Sequence, residues 1–103
     1  GFWAEIRDGQ KIRHPGELQL RVRIGNGGEV PFKAVPGQGG VEIFAAFNGK
    51  KLAFPLEADL PRLEAVDLDG IVIPAEASGA VSLRFEARGR AVFGEHFRFE
   101  LER

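Results

Sequence analysis

The chain predicts an all-β fold, an antiparallel β-sandwich of seven to eight strands. Two observations carry this. Apolar residues recur at every second position in run after run, the period of a strand with one face against a core. Those runs are short and separated at regular intervals by glycine-containing turn dipeptides, and no stretch sustains a helical period. With 103 residues the chain has the size of one ordinary domain, spanning 1–103.

Each element follows from its local pattern. "FWAEI" at 2–6 is a short strand, and "DG" at 8–9 turns the chain. In "ELQLRVRI" at 17–24, Leu18, Leu20, Val22 and Ile24 fall on one face, and Glu17, Gln19, Arg21 and Arg23 on the other. "VEIFAAF" places Val41, Ile43, Ala45 and Phe47 inward and Phe44 on the opposite face, so both faces are expected to be covered. "NG" at 48–49 supplies the positive φ angles of a two-residue hairpin into "KLAFPL" at 51–56. Pro55 in that run lacks an N–H for a ladder and marks a sheet edge. "LPRLEA" at 60–65 is the one expected helical turn, "DG" at 69–70 another hairpin turn, and "IVIP" at 71–74 a short strand. After a turn at "SG" 78–79, "AVSLRFEAR" alternates Val81, Leu83, Phe85 and Ala87 inward. "RG" at 88–89 reads as a further turn, and "HFRFELER" brings Phe97, Phe99 and Leu101 inward. The expected core therefore includes Val22, Ile24, Leu83, Phe85, Phe97 and Phe99 as buried residues.

The most motif-like stretch is the glycine knot in "LQLRVRIGNGGEVPF". A dinucleotide fingerprint needs G-x-G-x-x-G before a helix. Gly25 and Gly27 fit, but Val30 holds the third position and a proline follows. A phosphate-binding loop would need a Gly-Lys-Ser/Thr ending, which is missing. The knot reads instead as a corner in which Asn26 and Gly27 adopt left-handed backbone angles.

Composition narrows the function classes. With 14 basic and 15 acidic residues the net charge is −1, without the basic excess expected of a phosphate-neutralising nucleic-acid binder. There is no cysteine for a disulfide, thiolate or cysteine–metal site, and no apolar run of membrane-spanning length. The sequence shows no signal peptide and does not begin with methionine, which suggests a processed chain or an excised domain and favours an extracytoplasmic setting. Methionine, threonine and tyrosine are absent and amides scarce, a habit of heat-adapted, thermostable proteins that a GC-rich genome would also produce.

Catalytic combinations are sparse. His14 and His96 with Glu17 or Glu95 would make a zinc site only if the fold gathered them, and each histidine reads more simply as a loop or solvent-face residue. Neither Ser78 nor Ser82 lies in a nucleophile elbow. "DLDG" at 67–70 lacks the remaining ligand positions of a calcium loop. Arg21, Arg23, Arg84, Arg88 and Arg98 lie on polar strand faces near Glu86 and Glu100, as cross-strand ion pairs would. Single-stranded nucleic acid would need exposed aromatics among those cations, and only Trp3, Phe44 and Phe93 fall off the core face. No cofactor and no metal are expected, and the chain reads as a non-enzyme.

Two resemblances bear on the fold. A strand ending in Asn-x-Gly ("IGNGG"), followed by "VEIFAAFNGKKL", resembles bacterial immunoglobulin-like and adhesion-related sandwich modules. That resemblance implies an immunoglobulin/fibronectin-III-like sandwich, although the Cys–Trp–Cys core and the tyrosine corner of antibody domains are missing. "GELQLRVRI", "FAAFNGKKLAF" and "SGAVSLRFEARG" are also similar to the Z-type subunit of the periplasmic sulfur-carrier complex, another sandwich, whose partner carries the reactive cysteine. The His- and Met-rich loop of that family is replaced here by "GNGGEVPF".

The expected function is a non-catalytic interaction or scaffolding module of an exported or multidomain protein. The alternatives are a carbohydrate-binding module and a sulfur-carrier-type subunit. The contact surface is expected in the loop Gly25 to Gly40, where "EVPFKAV" would form an edge strand. Phe32 is its expected anchor, flanked by Val30 and by Lys33, the single charge inside 30–40. That poorly guarded edge would pair with a protein partner or a second copy of the domain, without nucleic acid and without membrane insertion.

Overall fold

A computed structural model of the chain describes residues 2–35, 37, 40–91 and 96–103. It is all-β apart from one 3-10 turn at Ala75–Ala77. The strands are β1 (Ala4–Glu5), β2 (Lys11–Ile12), β3 (Leu18–Asn26), β4 (Phe32–Ala34), β5 (Val41–Phe47), β6 (Lys50–Leu56), β7 (Ala65–Ile73), β8 (Val81–Ala87), β9 (Gly89–Ala91) and β10 (Phe97–Glu102). Two four-stranded antiparallel sheets form, in the orders β1-β10-β3-β7 and β2-β8-β5-β6, and a two-stranded ladder joins β4 to β9. Their apolar faces meet in one core, with Leu20, Val22, Ile24, Ile71 and Ile73 from the first sheet and Val41, Ile43, Ala45 and Leu83 from the second.

The alternation of β3 is realised residue by residue: Leu18, Leu20, Val22 and Ile24 are buried while Gln19 and Arg21 face solvent. Each such aliphatic side chain contributes about 1.5–3 kcal/mol by leaving water. In β5, Val41, Ile43, Ala45 and Phe47 enter the core. Phe44, on the outer face, is buried too, flanked by Ala53 and Arg84 on the neighbouring strands and with the Lys51 ammonium 3.8 Å above its ring. Asn48 and Gly49 hold φ of 44° and 74°, the two positive angles of the expected hairpin turn between β5 and β6. Pro55 lies in β6, the edge strand of its sheet.

Several expectations are corrected. Asp69-Gly70 is no hairpin turn. β7 runs through it, with Ile71 opposite Leu20 and Leu68 opposite Val22, so two residues face Arg21 alone. This is a β-bulge, and Gly70 takes its left-handed position at φ 75°. "LPRLEA" makes a tight turn with Leu63 at φ 62° instead of a helical one. "RG" does not reverse the chain: β8 ends at Ala87, and β9 starts at Gly89 to pair with β4. The first strand is split, since Ala4–Glu5 joins one sheet and Lys11–Ile12 the other. Finally, Phe85, Phe97 and Phe99 are only partly buried, whereas Val22, Ile24 and Leu83 are fully so.

Candidate interaction site

The glycine knot is a corner, but its mechanism differs from the expectation. Neither Asn26 nor Gly27 has a positive φ. Asn26 acts through its side chain, which is turned into the protein at the end of β3. Its Nδ2 donates to the carbonyls of Val30 and Leu60, each at 2.9 Å, and its Oδ1 accepts the Gly28 N–H at 2.9 Å. One buried amide thereby ties the glycine loop to the segment before β7.

That clamp sets the environment of the expected contact surface. Phe32 is 1% exposed and packs edge-on against Phe97, with ring centroids 5.2 Å apart. It therefore cannot serve as an exposed anchor. Nor is the edge of β4 open. Phe32 exchanges two backbone hydrogen bonds with Leu60, at 2.9 and 3.0 Å, while β9 pairs with β4 from Phe32 to Ala34. The Asp59 carboxylate accepts the Ala34 N–H at 2.9 Å, and its other oxygen lies 3.7 Å from the Lys33 ammonium. Lys33 is exposed but ion-paired, and Val30 is half-buried. The loop looked unguarded in sequence because its covers, Leu60 and β9, come from far along the chain.

The other candidates separate in the same way. His14 is buried between β2 and β3, its Nδ1 paired with the Gly16 carbonyl. His96 is exposed just before β10, and its carbonyl accepts the Gly27 N–H at 2.9 Å. The two histidines flank opposite ends of β3, whose nine residues span roughly 25–30 Å. Asp67 and Asp69 are engaged by arginines: Arg23 Nε lies 2.8 Å from Asp67, and Arg21 Nε lies 2.6 Å from Asp69. The Arg23 hydrogen bond, reinforced by the charges of Arg23 and Arg21, holds the Asp67 carboxyl below the ordinary carboxylate range. Trp3 is half-buried with the Arg23 guanidinium 4.0 Å from its ring centre, so one face is capped. Phe93 and Glu95 lie outside the described residues.

What sequence reasoning missed is the open side of the sandwich. β1 covers β10 only at Glu100 and Leu101, after which Ile6 donates to the Phe99 carbonyl at 2.9 Å. β2 covers β8 only at Val81 and Ser82, followed by bonds of Gly9 and Gln10 to Leu83. Beyond that the Asp8 carboxylate, in place of a strand, accepts the Phe85 N–H at 3.1 Å. The segment between β1 and β2 crosses from one sheet to the other here. Above the crossing, β8 and β10 have no strand neighbour on this side among the described residues.

Between those strand ends lies a cleft of about 460 Å³. Its walls include Phe85 and Phe99, stacked at 3.9 Å with planes 6° apart, and Phe97, edge-on to Phe99 at 6.5 Å. Glu5, Arg7, Asp8, Glu86 and Arg98 form its polar rim. Asp8 pairs with Arg84 at 3.0 Å, and Glu86 shares Arg88, at 3.3 Å, with Glu42, at 3.4 Å. Arg7 and Arg98 are exposed and make no ion pair among the described residues. The one sequence signal was the pattern of phenylalanines itself, since three of them converge on one edge. No known protein family, curated protein or solved structure matches the chain.

Proposed function

We propose that the chain is a non-catalytic interaction module that engages a protein partner through the open side of its sandwich. One observation carries the reading: three phenylalanines, Phe85, Phe97 and Phe99, stay partly exposed in a cleft where two strands lose their neighbours. Partly exposed aromatic rings beside unpaired strand edges combine the two features that drive partner capture, apolar area and unsatisfied backbone groups. The cleft is also of the size of ordinary recognition pockets, roughly 300–1,000 Å³. An immunoglobulin-like sandwich draws support from the central pairs β3–β7 and β5–β8. The pairing of β10 with β3 departs from that arrangement, in which the last strand lies with the third and sixth.

Site-specific photo-crosslinking in the source cells tests the reading. A benzophenone side chain at position 7 or 86 should yield one discrete protein adduct, and the same group at exposed Ala53 on β6 should not. Equal adducts from all three positions, or none from 7 and 86, would sink it.

A further inference from the structure

We infer that Asn48 is a site of spontaneous covalent modification, where the side-chain amide is lost by cyclisation onto the Gly49 nitrogen, and that the same dipeptide at Asn26-Gly27 is locked against it. The inference is independent of what the cleft binds. The chain has two asparagines, and each is followed by glycine. Asparagine before glycine is chemically labile, because the next backbone nitrogen can attack the side-chain carbonyl and glycine puts no Cβ in the way of the rotation this needs. Hydrogen bonds that hold the amide, or a backbone that cannot turn, suppress the attack. Sequence therefore makes both dipeptides candidates, and the fold separates them.

Asn26 is 4% exposed, with Nδ2 held by the carbonyls of Val30 and Leu60 and Oδ1 by the Gly28 N–H. The nitrogen that would attack it is pinned as well, since the Gly27 N–H donates to the His96 carbonyl at 2.9 Å. Asn48 differs on each count. It and Gly49 are both exposed at the tip between β5 and β6. Neither the Asn48 side chain nor the Gly49 N–H makes a hydrogen bond among the described residues. A Cβ built on Gly49 would meet nothing within 4 Å, so the space around the tip is open. Ring closure requires the tip to leave its left-handed turn geometry, and openings at exposed loop tips lie at the low end of local unfolding free energies.

The reaction needs only water and base from the solvent. The Gly49 nitrogen gives up its proton and bonds to Asn48 Cγ, the Cγ–Nδ2 bond breaks, and ammonia leaves a five-membered succinimide behind. Water then opens the ring. Cleavage between the Gly49 nitrogen and Cγ leaves an aspartate, whereas cleavage between that nitrogen and the main-chain carbonyl carbon leaves an isoaspartate whose chain runs through Cβ. Aspartate before glycine supports the same turn, and its carboxylate is followed in sequence by Lys50 and Lys51. Isoaspartate adds a backbone atom to a two-residue turn that Phe47 and Lys50 close. β6 is an edge strand paired with β5 alone, so it is the element that loosens.

Timed incubation of the full chain in mildly alkaline buffer tests this. Trypsin releases Asn26 in the peptide 24–33 and Asn48 in 34–50. Mass spectrometry should show amide-to-acid conversion at Asn48 at least about tenfold faster than at Asn26, because Asn26 reacts only after its clamp opens. In denaturing urea the two should convert at similar rates. Chromatography should resolve two products at Asn48, and amide hydrogen exchange in β6 should be faster in the isoaspartyl form, while the Asn48→Asp variant exchanges like the parent. Conversion of Asn26 as fast as Asn48 in the folded chain overturns the protection argument. An Asn48 that converts in urea but not in the folded chain overturns the proposal, since the turn itself would then protect it. An isoaspartyl form whose β6 amides exchange like the parent's overturns the consequence drawn for that edge.

Discussion

Replacing Asn26 by alanine should be among the costliest single polar changes in this chain. Its side chain is 4% exposed and makes three hydrogen bonds, each 2.9 Å long. Alanine removes all three and leaves their partners behind. The Leu60 carbonyl keeps the Phe32 N–H and is only half deprived. The Val30 carbonyl and the Gly28 N–H lose the partner that Asn26 supplied. A buried group stripped of its partner costs about 1–3 kcal/mol, and part of the Val30 side of the clamp reaches solvent, so the expected loss is about 2–4 kcal/mol. For a domain of this size each kcal/mol lowers Tm by about 4–8 °C, giving a fall of roughly 8–32 °C. Urea unfolding followed by circular dichroism at pH 7 would measure it. Gly27→Ala is the matched control: its φ is not left-handed, and the added methyl meets the exposed Arg98 Nε at 3.3 Å and the His96 carbonyl at 3.5 Å. That change should cost under about 1 kcal/mol. If Gly27→Ala proves the costlier of the two, or Asn26→Ala costs under about 1 kcal/mol, the corner is a backbone device after all and the clamp argument is refuted.

Two further outcomes follow from the same geometry. Gly40→Ala should destabilise by about 1–3 kcal/mol through overpacking, because a Cβ there would stand 2.6 Å from the Leu56 carbonyl oxygen, whereas Gly16→Ala, with nothing within 4 Å, should be nearly neutral in the same urea assay. Asp67 is held below the carboxylate range by Arg23 and Arg21, so its contribution is present above the unfolded value of about 3.9 and is lost as pH falls through the lowered folded value. Asp67→Asn should therefore be less stable than the parent at pH 7, and the two melting curves should converge below about pH 4; a gap that stays constant to pH 2 would remove the ion pair from the explanation.

The sequence alone was enough to determine the facing of the long alternating strands β3 and β5. Side chains leave a strand on alternate sides as a matter of local covalent geometry, so Leu18, Leu20, Val22 and Ile24 could be assigned to one face with no knowledge of what they would meet. The Asn48-Gly49 turn was legible for the same reason, since positive φ is a property of those two residues. What neighbours a strand acquires is not local, and only the tertiary structure decided it. Asp69-Gly70 carries the same turn chemistry as Asn48-Gly49, yet it became a bulge because β3 continued alongside β7 past it. Phe32 looked like a free anchor until Leu60 and β9, both remote in sequence, closed over its strand. Phe85 and Phe99 alternate inward as regularly as Val22 does, but they lie beyond the short pairings of β1 and β2 and stay only partly buried. Period two fixes the direction in which a side chain points, whereas burial requires a second surface in that direction. In this chain that surface comes from segments tens of residues away.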